Sequence, residues 1–225
     1  MCSSCSGRGI ALSAEGEPRN QIFALEMVED YRNGITWLSE RSEVDPQRIG
    51  VWGISYSGGL CLYVGTHDKR VKAVVAQVPS TLNPESRRKK DPEAWDRLGE
   101  LLIQDRVQRY KTGSPTYMKV VAPEGEPCVL PYKDAYEWYM EFREFAPNWK
   151  NEVTIESLEK ACEFDPVSLI HLMAPTALLL IPGEYDNLIP IEAVKRTAEN
   201  SADTSTMQSS SKASWIVFGF LSSAG

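Results

Sequence analysis

The sequence predicts an α/β protein: a mostly parallel sheet flanked by helices, interrupted by a helical cap insertion. Three observations carry this expectation. Amphipathic helical and β-branched strand patterns alternate from residue 21 to about residue 80. That alternation stops from about Ser80 to Ile170 and then resumes with Thr176 to Ile181. A serine-glycine turn, Gly53-Ile54-Ser55-Tyr56-Ser57-Gly58-Gly59, falls between a strand pattern and a helix pattern.

In chain order, residues 1–20 are Ser- and Gly-rich without apolar periodicity and read as an entering loop. Ala24, Val28, Tyr31, Ile35 and Leu38 recur at helical spacing, with Glu29, Asp30, Arg32, Asn33 and Thr36 on the other face. Asp45 and Pro46 break this helix, and Arg48 to Gly53 has the length and composition of a strand that must stop at Gly53. Leu60 to Val64 suits a helix buried beside a sheet, and the β-branched run Val71 to Val78 suits a parallel strand covered on both faces.

Residues 81–170 read as the cap. Their best helix sets Ala135, Trp138, Tyr139, Phe142 and Phe145 on one side, and the basic tract Arg87 to Lys90 reads as a solvated loop. Trp95, Tyr110, Tyr132, Trp138, Phe142 and Trp149 offer either cap packing or the lining for a lipophilic acyl chain. The core resumes over 171–200 with the strand Thr176 to Ile181, the loop Pro182 to Asn187 and a helix over Ile191 to Asn200. Residues 201–225 form a divergent, polar tail with one last apolar run, Trp215 to Leu221.

Composition bounds the function. With 225 residues, 42% of them hydrophobic, the chain can bury a full core, and its net charge of −7 opposes a nucleic-acid groove, which must gather Lys and Arg. No apolar run approaches a membrane span and no secretory leader is visible, so the expected place is the cytoplasm. Five scattered cysteines fit reduced thiols; Cys2 and Cys5 make a CxxC, yet no second pair completes a metal site. No glycine pattern suits a dinucleotide, so neither cofactor nor metal is expected.

The chemistry gathers at Ser55. Small neighbours allow a sharp strand-to-helix turn that lifts the hydroxyl above the sheet, and the amide of Tyr56 would face a developing oxyanion. The spacing is GxSxxG, since Ser57 takes the place of the second glycine. Asp186, in the loop after the resumed strand, is the candidate acid, with Glu184 as its substitute if the register slips. The sequence contains two histidines, and both are expected far from Ser55: His67 at the distal end of the elbow helix, His171 ahead of its strand.

Five segments stand out: GEPRNQ (Gly16 to Gln21), VEDYRNGITWL (Val28 to Leu38), EVDPQRIGVWGISYSGG (Glu43 to Gly59), DKRVKAVVAQVP (Asp68 to Pro79) and APTALLLIPGEYDNLIP (Ala174 to Pro190). Together they resemble the α/β-hydrolases of the dienelactone-hydrolase-like and X-prolyl-peptidase-like branch, most of all fungal polyketide transferases and thiohydrolases. The resemblance implies an α/β-hydrolase fold, Ser55 as nucleophile, Asp186 as triad acid, and an acyl-enzyme resolved by water or an acceptor alcohol. The substrate it implies is a small-molecule ester or thioester of a hydrophobic acyl group, a carrier-bound polyketide being one form. Against that family the chain is expected to lack the first strands and the terminal histidine segment. The alternatives are therefore a catalytically inactive, truncated remnant and, third, a serine peptidase; oligomeric state stays open.

Overall fold

A computed structural model of the chain describes residues 18–186 and 188–201. The expectations for Cys2 and Cys5, for the loop before residue 18, for Asn187 and for the tail from 202 onward lie outside the described residues. Two compact units divide the chain: Val28–Arg87 with Phe164–Gly225, and Met1–Met27 with Arg88–Glu163.

The first of these units holds the parallel sheet. Helix α1 (Ala24–Ser39) enters it, burying Val28 and Ile35 as the apolar spacing predicts. Strand β1 (Gly50–Ile54), helix α2 (Tyr56–His67), strand β2 (Ala73–Gln77), strand β5 (Ala177–Ile181) and helix α7 (Ile191–Ser201) follow in the α/β rhythm. The strand order is β1-β2-β5, with Ile54 in register with Gln77 and Gln77 with Ile181, so three carboxyl ends align on one edge. Strand boundaries need correction: β2 is shorter than the expected Val71 to Val78, and β5 begins at Ala177 rather than Thr176. β1 begins at Gly50, because Pro46–Arg48 coil into a 3-10 turn capped by the Asp45 carboxylate, and it ends at Ile54 rather than Gly53 because Ile54 still pairs with Gln77.

α2 is apolar nearly all round, as a helix covered by a sheet should be: Leu60, Cys61, Leu62 and Val64 are fully buried. Gly65 lets it lie against β2, since a Cβ there would meet the Val74 side chain at 2.4 Å. The turn from α2 to β2 is fixed by Asp68, whose carboxylate accepts from the Arg70 backbone at 3.1 Å and its guanidinium at 2.9 and 2.6 Å. Arg70 also donates to Thr36 at 2.7 Å, tying the turn to α1.

The second unit is largely helical. It holds α4 (Pro92–Thr112), α5 (Lys133–Phe142), α6 (Ile155–Glu163) and the two-residue antiparallel pair β3 (Tyr117–Met118) and β4 (Val153–Thr154). α3 (Pro84–Lys90) straddles the two units and corrects the expected loop at Arg87 to Lys90. Asn83 starts it: its carboxamide oxygen accepts from the Ser86 amide at 2.9 Å, and Pro84 occupies the first turn. α4, the longest helix described, has only a short apolar stripe, Trp95, Leu98, Leu101 and Leu102, and the same face then turns charged at Asp105 and Arg109. Arg109 binds Asp105 at 2.7 Å within it and Glu156 at 2.9 Å on α6, so ion pairs with largely buried side chains join the two helices. Asp91-Pro92 at its start and left-handed Gly113 at its end were the available signals. On α5 the expected aromatic face is present: Tyr139 stacks on Trp149 at 5.2 Å and Trp138 meets Phe142 at 4.9 Å.

Candidate active site

Ser55 sits between β1 and α2 with φ 54° and ψ −117°, a backbone conformation that costs an L-residue about 1–3 kcal/mol and persists only where its surroundings impose it. Those surroundings are visible. The Ser55 amide donates to the Gln77 carbonyl at 2.9 Å, and the Ser55 carbonyl accepts from Ser80 at 2.9 Å and from Gly59 at 3.2 Å. The turn is thus clamped to the end of β2 on one side and to its own helix on the other.

The glycines of the motif have separate reasons. A Cβ on Gly53 would lie 2.3 Å from the Ser57 carbonyl oxygen, and one on Gly59 would lie 2.6 Å from the Ser80 carbonyl oxygen. Both neighbours are backbone and cannot swing away. Ser57, where the stricter pattern has glycine, uses its hydroxyl to close the turn: it accepts from the Ile54 amide at 3.0 Å and donates to the Ile54 carbonyl at 2.8 Å. Sequence reasoning saw the substitution and missed this cap.

Ser55 is exposed, and α2 begins at the next residue, so the amide of Tyr56 belongs to the helix N-terminus, where the helix dipole favours negative charge. The Tyr56 and Tyr63 rings flank Phe164, with centroids 6.4 and 5.3 Å from it. Phe164 has no local signal in the sequence; folding delivers it.

Asp186 lies in the loop after β5, half-buried, on the same carboxyl edge as Ser55 and across two strand spacings of about 4.8 Å each. Its Oδ1 accepts from the amides of Leu188 at 2.8 Å and Ile189 at 2.9 Å, shaping the turn that leads into α7. Gly183 sits close beneath it, since a Cβ there would be 3.1 Å from the Asp186 Cβ and 3.4 Å from Val78. Val78 itself has φ 38°, unusual for a β-branched residue, and donates its amide to Ile181 at 2.6 Å. Two strained non-glycine residues therefore stand side by side at this edge. Glu184 is exposed in the same loop.

The histidines stand elsewhere. His67 ends α2, an exposed residue roughly 17 Å along the helix from its start, stacked on Tyr63 at 4.1 Å with its Nδ1 2.8 Å from the Tyr63 carbonyl. His171 is exposed in the 3-10 turn Ile170–Met173 ahead of β5, at the amino edge of the sheet. The structure brings Ser55, Tyr56 and Asp186 to one edge and neither histidine with them. Among the described residues, no group of three or more His, Cys, Asp or Glu is placed to hold a metal ion, and no helix is long and apolar enough to cross a membrane.

Known proteins share this fold. The thiohydrolase aneE of Aspergillus aculeatus is 29% identical over 182 residues, 77% of this chain and 57% of that protein. The polyketide transferase grgF of Penicillium sp. is 29% identical over 189 residues, 82% of this chain and 60% of that protein. The crystal structure of the α/β hydrolase GrgF from Penicillium sp. superposes with a TM-score of 0.73 at 25% identity, covering 88% of this chain and 66% of that one. The chain thus spans about three fifths of the length of these curated relatives, and its fold is that of the α/β-hydrolases. Residues 5–160 match the family described as X-Pro dipeptidyl-peptidase (S15 family), and to that family, within the α/β-hydrolase superfamily, the chain belongs.

Proposed function

We propose that the chain carries the nucleophile and the orienting acid of a serine hydrolase or acyltransferase that opens an ester or thioester of a hydrophobic acyl group. The observation that carries this reading is the strained, clamped Ser55 at the strand-to-helix turn, with Asp186 on the same sheet edge. The Ser55 hydroxyl attacks the carbonyl carbon as its proton passes to a base. The Tyr56 amide holds the oxyanion, a donor typically worth about 3 kcal/mol in the transition state. The alcohol or thiol leaves, and water or an acceptor alcohol then takes the acyl group from Ser55. Asp186 orients the base; its Oδ1 serves the loop, and Oδ2 is the oxygen for that task. The base is neither His67 nor His171.

The names of the relatives, thiohydrolase and polyketide transferase, support a polyketide-like acyl group, free or carrier-bound, as substrate. Free thiols at Cys61, Cys128 and Cys162 support a cytoplasmic setting. The family's description favours a second reading, cleavage of an X-Pro peptide bond, and the placement of the histidines favours a third, an acyl-binding protein without turnover.

Fluorophosphonate labelling with added imidazole as an external base separates these readings. The expected result is an adduct on the Ser55 peptide that imidazole accelerates and Ser55→Ala abolishes, with slower formation in Asp186→Asn. Lack of any Ser55-dependent adduct would transfer the assignment to the acyl-binding reading. Faster imidazole-assisted release from an X-Pro p-nitroanilide than from an acyl thioester would transfer it to the peptidase reading.

A further inference from the structure

The segment that leaves β2 carries a group for which the proposed chemistry has no use. Ser80 donates its amide to the Ser55 carbonyl at 2.9 Å, and Thr81 is the next residue, so chain geometry keeps its Cα within about 10 Å of that of Ser55. Thr81 is 4% exposed, and its hydroxyl has no hydrogen-bond partner among the described residues. The other buried Ser and Thr hydroxyls behave differently. Thr66 donates to Leu62, Thr176 to Val71, Thr197 to Ala193 and Ser201 to Ala198, while Thr154 and Ser157 bond each other.

A buried hydroxyl left unbonded is costly, so its retention calls for a reason. The polar residues that follow it in the chain are already engaged: Asn83 and Ser86 bond each other, and the Asn83 carboxamide donates to Ser168 at 3.2 Å. A second buried donor without a partner among the described residues, the Nε of Arg87, lies six residues on. A guanidinium N–H can only donate, so this stretch offers hydrogen-bond donors and asks for acceptor oxygens.

We infer that Thr81 determines specificity: its hydroxyl donates a hydrogen bond to an oxygen substituent on the acyl chain of the substrate held at Ser55. This rests on the reading of Ser55 as the acyl-accepting residue. A polyketide-like chain bears oxygens along its length and meets the donor, whereas a plain alkyl chain of the same length leaves it unbonded.

The test uses binding, so that it does not depend on turnover. In the Ser55→Ala chain, affinities for the N-acetylcysteamine thioesters of octanoate, 3-oxooctanoate and 5-oxooctanoate are measured by calorimetry. An oxo thioester is expected to bind about tenfold tighter than the octanoyl thioester, a preference that Thr81→Val removes and Thr81→Ser retains, with octanoyl affinity unchanged. Thr81→Ala serves as a second deletion of the hydroxyl should the valine variant fold poorly. Equal affinities for the three thioesters, no binding of any, or a preference that survives in Thr81→Val and Thr81→Ala would overturn the inference. Fluorophosphonate labelling of the chain with Ser55 intact is scored separately. Labelling without oxo preference removes the role of Thr81 alone; oxo preference without labelling removes the catalytic reading and leaves Thr81 as a binding residue.

Discussion

The amide of Ser80 donates to the carbonyl of Ser55 at 2.9 Å, so the turn that carries the serine is held by the segment that leaves the neighbouring strand. Gly59 permits this approach, because its missing Cβ would stand 2.6 Å from the Ser80 carbonyl oxygen. Strain at Ser55 is therefore maintained by a contact between elements distant in the chain.

Gly59→Ala forces a backbone shift at that contact, and overpacking of this kind costs about 1–3 kcal/mol. Gly99, inside α4, makes the opposite case, since a Cβ added there would meet nothing within 4 Å. Gly99→Ala is expected to stabilise by about 0.5–1 kcal/mol through helix propensity. Urea unfolding of the two variants should shift the midpoint in opposite directions, and Gly59→Ala alone should slow labelling of Ser55.

Ser57→Ala removes a hydroxyl that serves both the amide and the carbonyl of Ile54. The expected loss is about 1 kcal/mol, typical of a cap or a single hydrogen bond, with a further slowing of Ser55 labelling as the turn loosens. Ser57→Gly restores the stricter glycine spacing without the hydroxyl and should resemble the alanine variant in stability.

Asp68 titrates below the usual carboxylate range, chiefly because the Arg70 side chain hydrogen-bonds its ionised form, and despite an opposing effect of burial. Its folded pKa is depressed, so its contribution is complete above the ordinary value of 3.8 and is lost as pH falls through the lower folded value. Asp68→Asn should cost about 2 kcal/mol at pH 7, and the gap to the unsubstituted protein should close only below about pH 4. Denaturant melts across that range check it.

Cys61 lies buried under β1, where burial pushes its thiol up to about 11 despite a hydrogen bond with Tyr31. At pH 8 about one molecule in a thousand would carry the thiolate, the form that alkylates. Iodoacetamide should therefore leave Cys61 unmodified in the native protein and label it once urea unfolds the chain, while the half-buried Cys128 and Cys162 react earlier; peptide mapping reads the order.

Much of this architecture is legible in the residue pattern. Helical spacing in α1, the β-branched run of β2 and the apolar run of β5 declare themselves, because each buries a face whose period follows from backbone geometry. α4 does not, since its partners are charges: Arg109 finds Glu156 only when α6 has been brought beside it. α3 was hidden for a related reason, as a run of four basic residues reads as solvated surface while Asn83 and Pro84 quietly start a helix.

The sequence by itself determined the α/β order, the position of Ser55 between strand and helix, and Asp186 in the loop beyond β5, all consequences of local periodicity and turn chemistry. Only the tertiary structure decided that Ser80 clamps Ser55, that Ser57 caps the turn, that Phe164 reaches Tyr56 and that the Thr81 hydroxyl is buried without a partner among the described residues. The physical reason is that each of these depends on which groups distant in the chain come within bonding distance, and that is fixed by how the strands align and pack, beyond the reach of any local pattern.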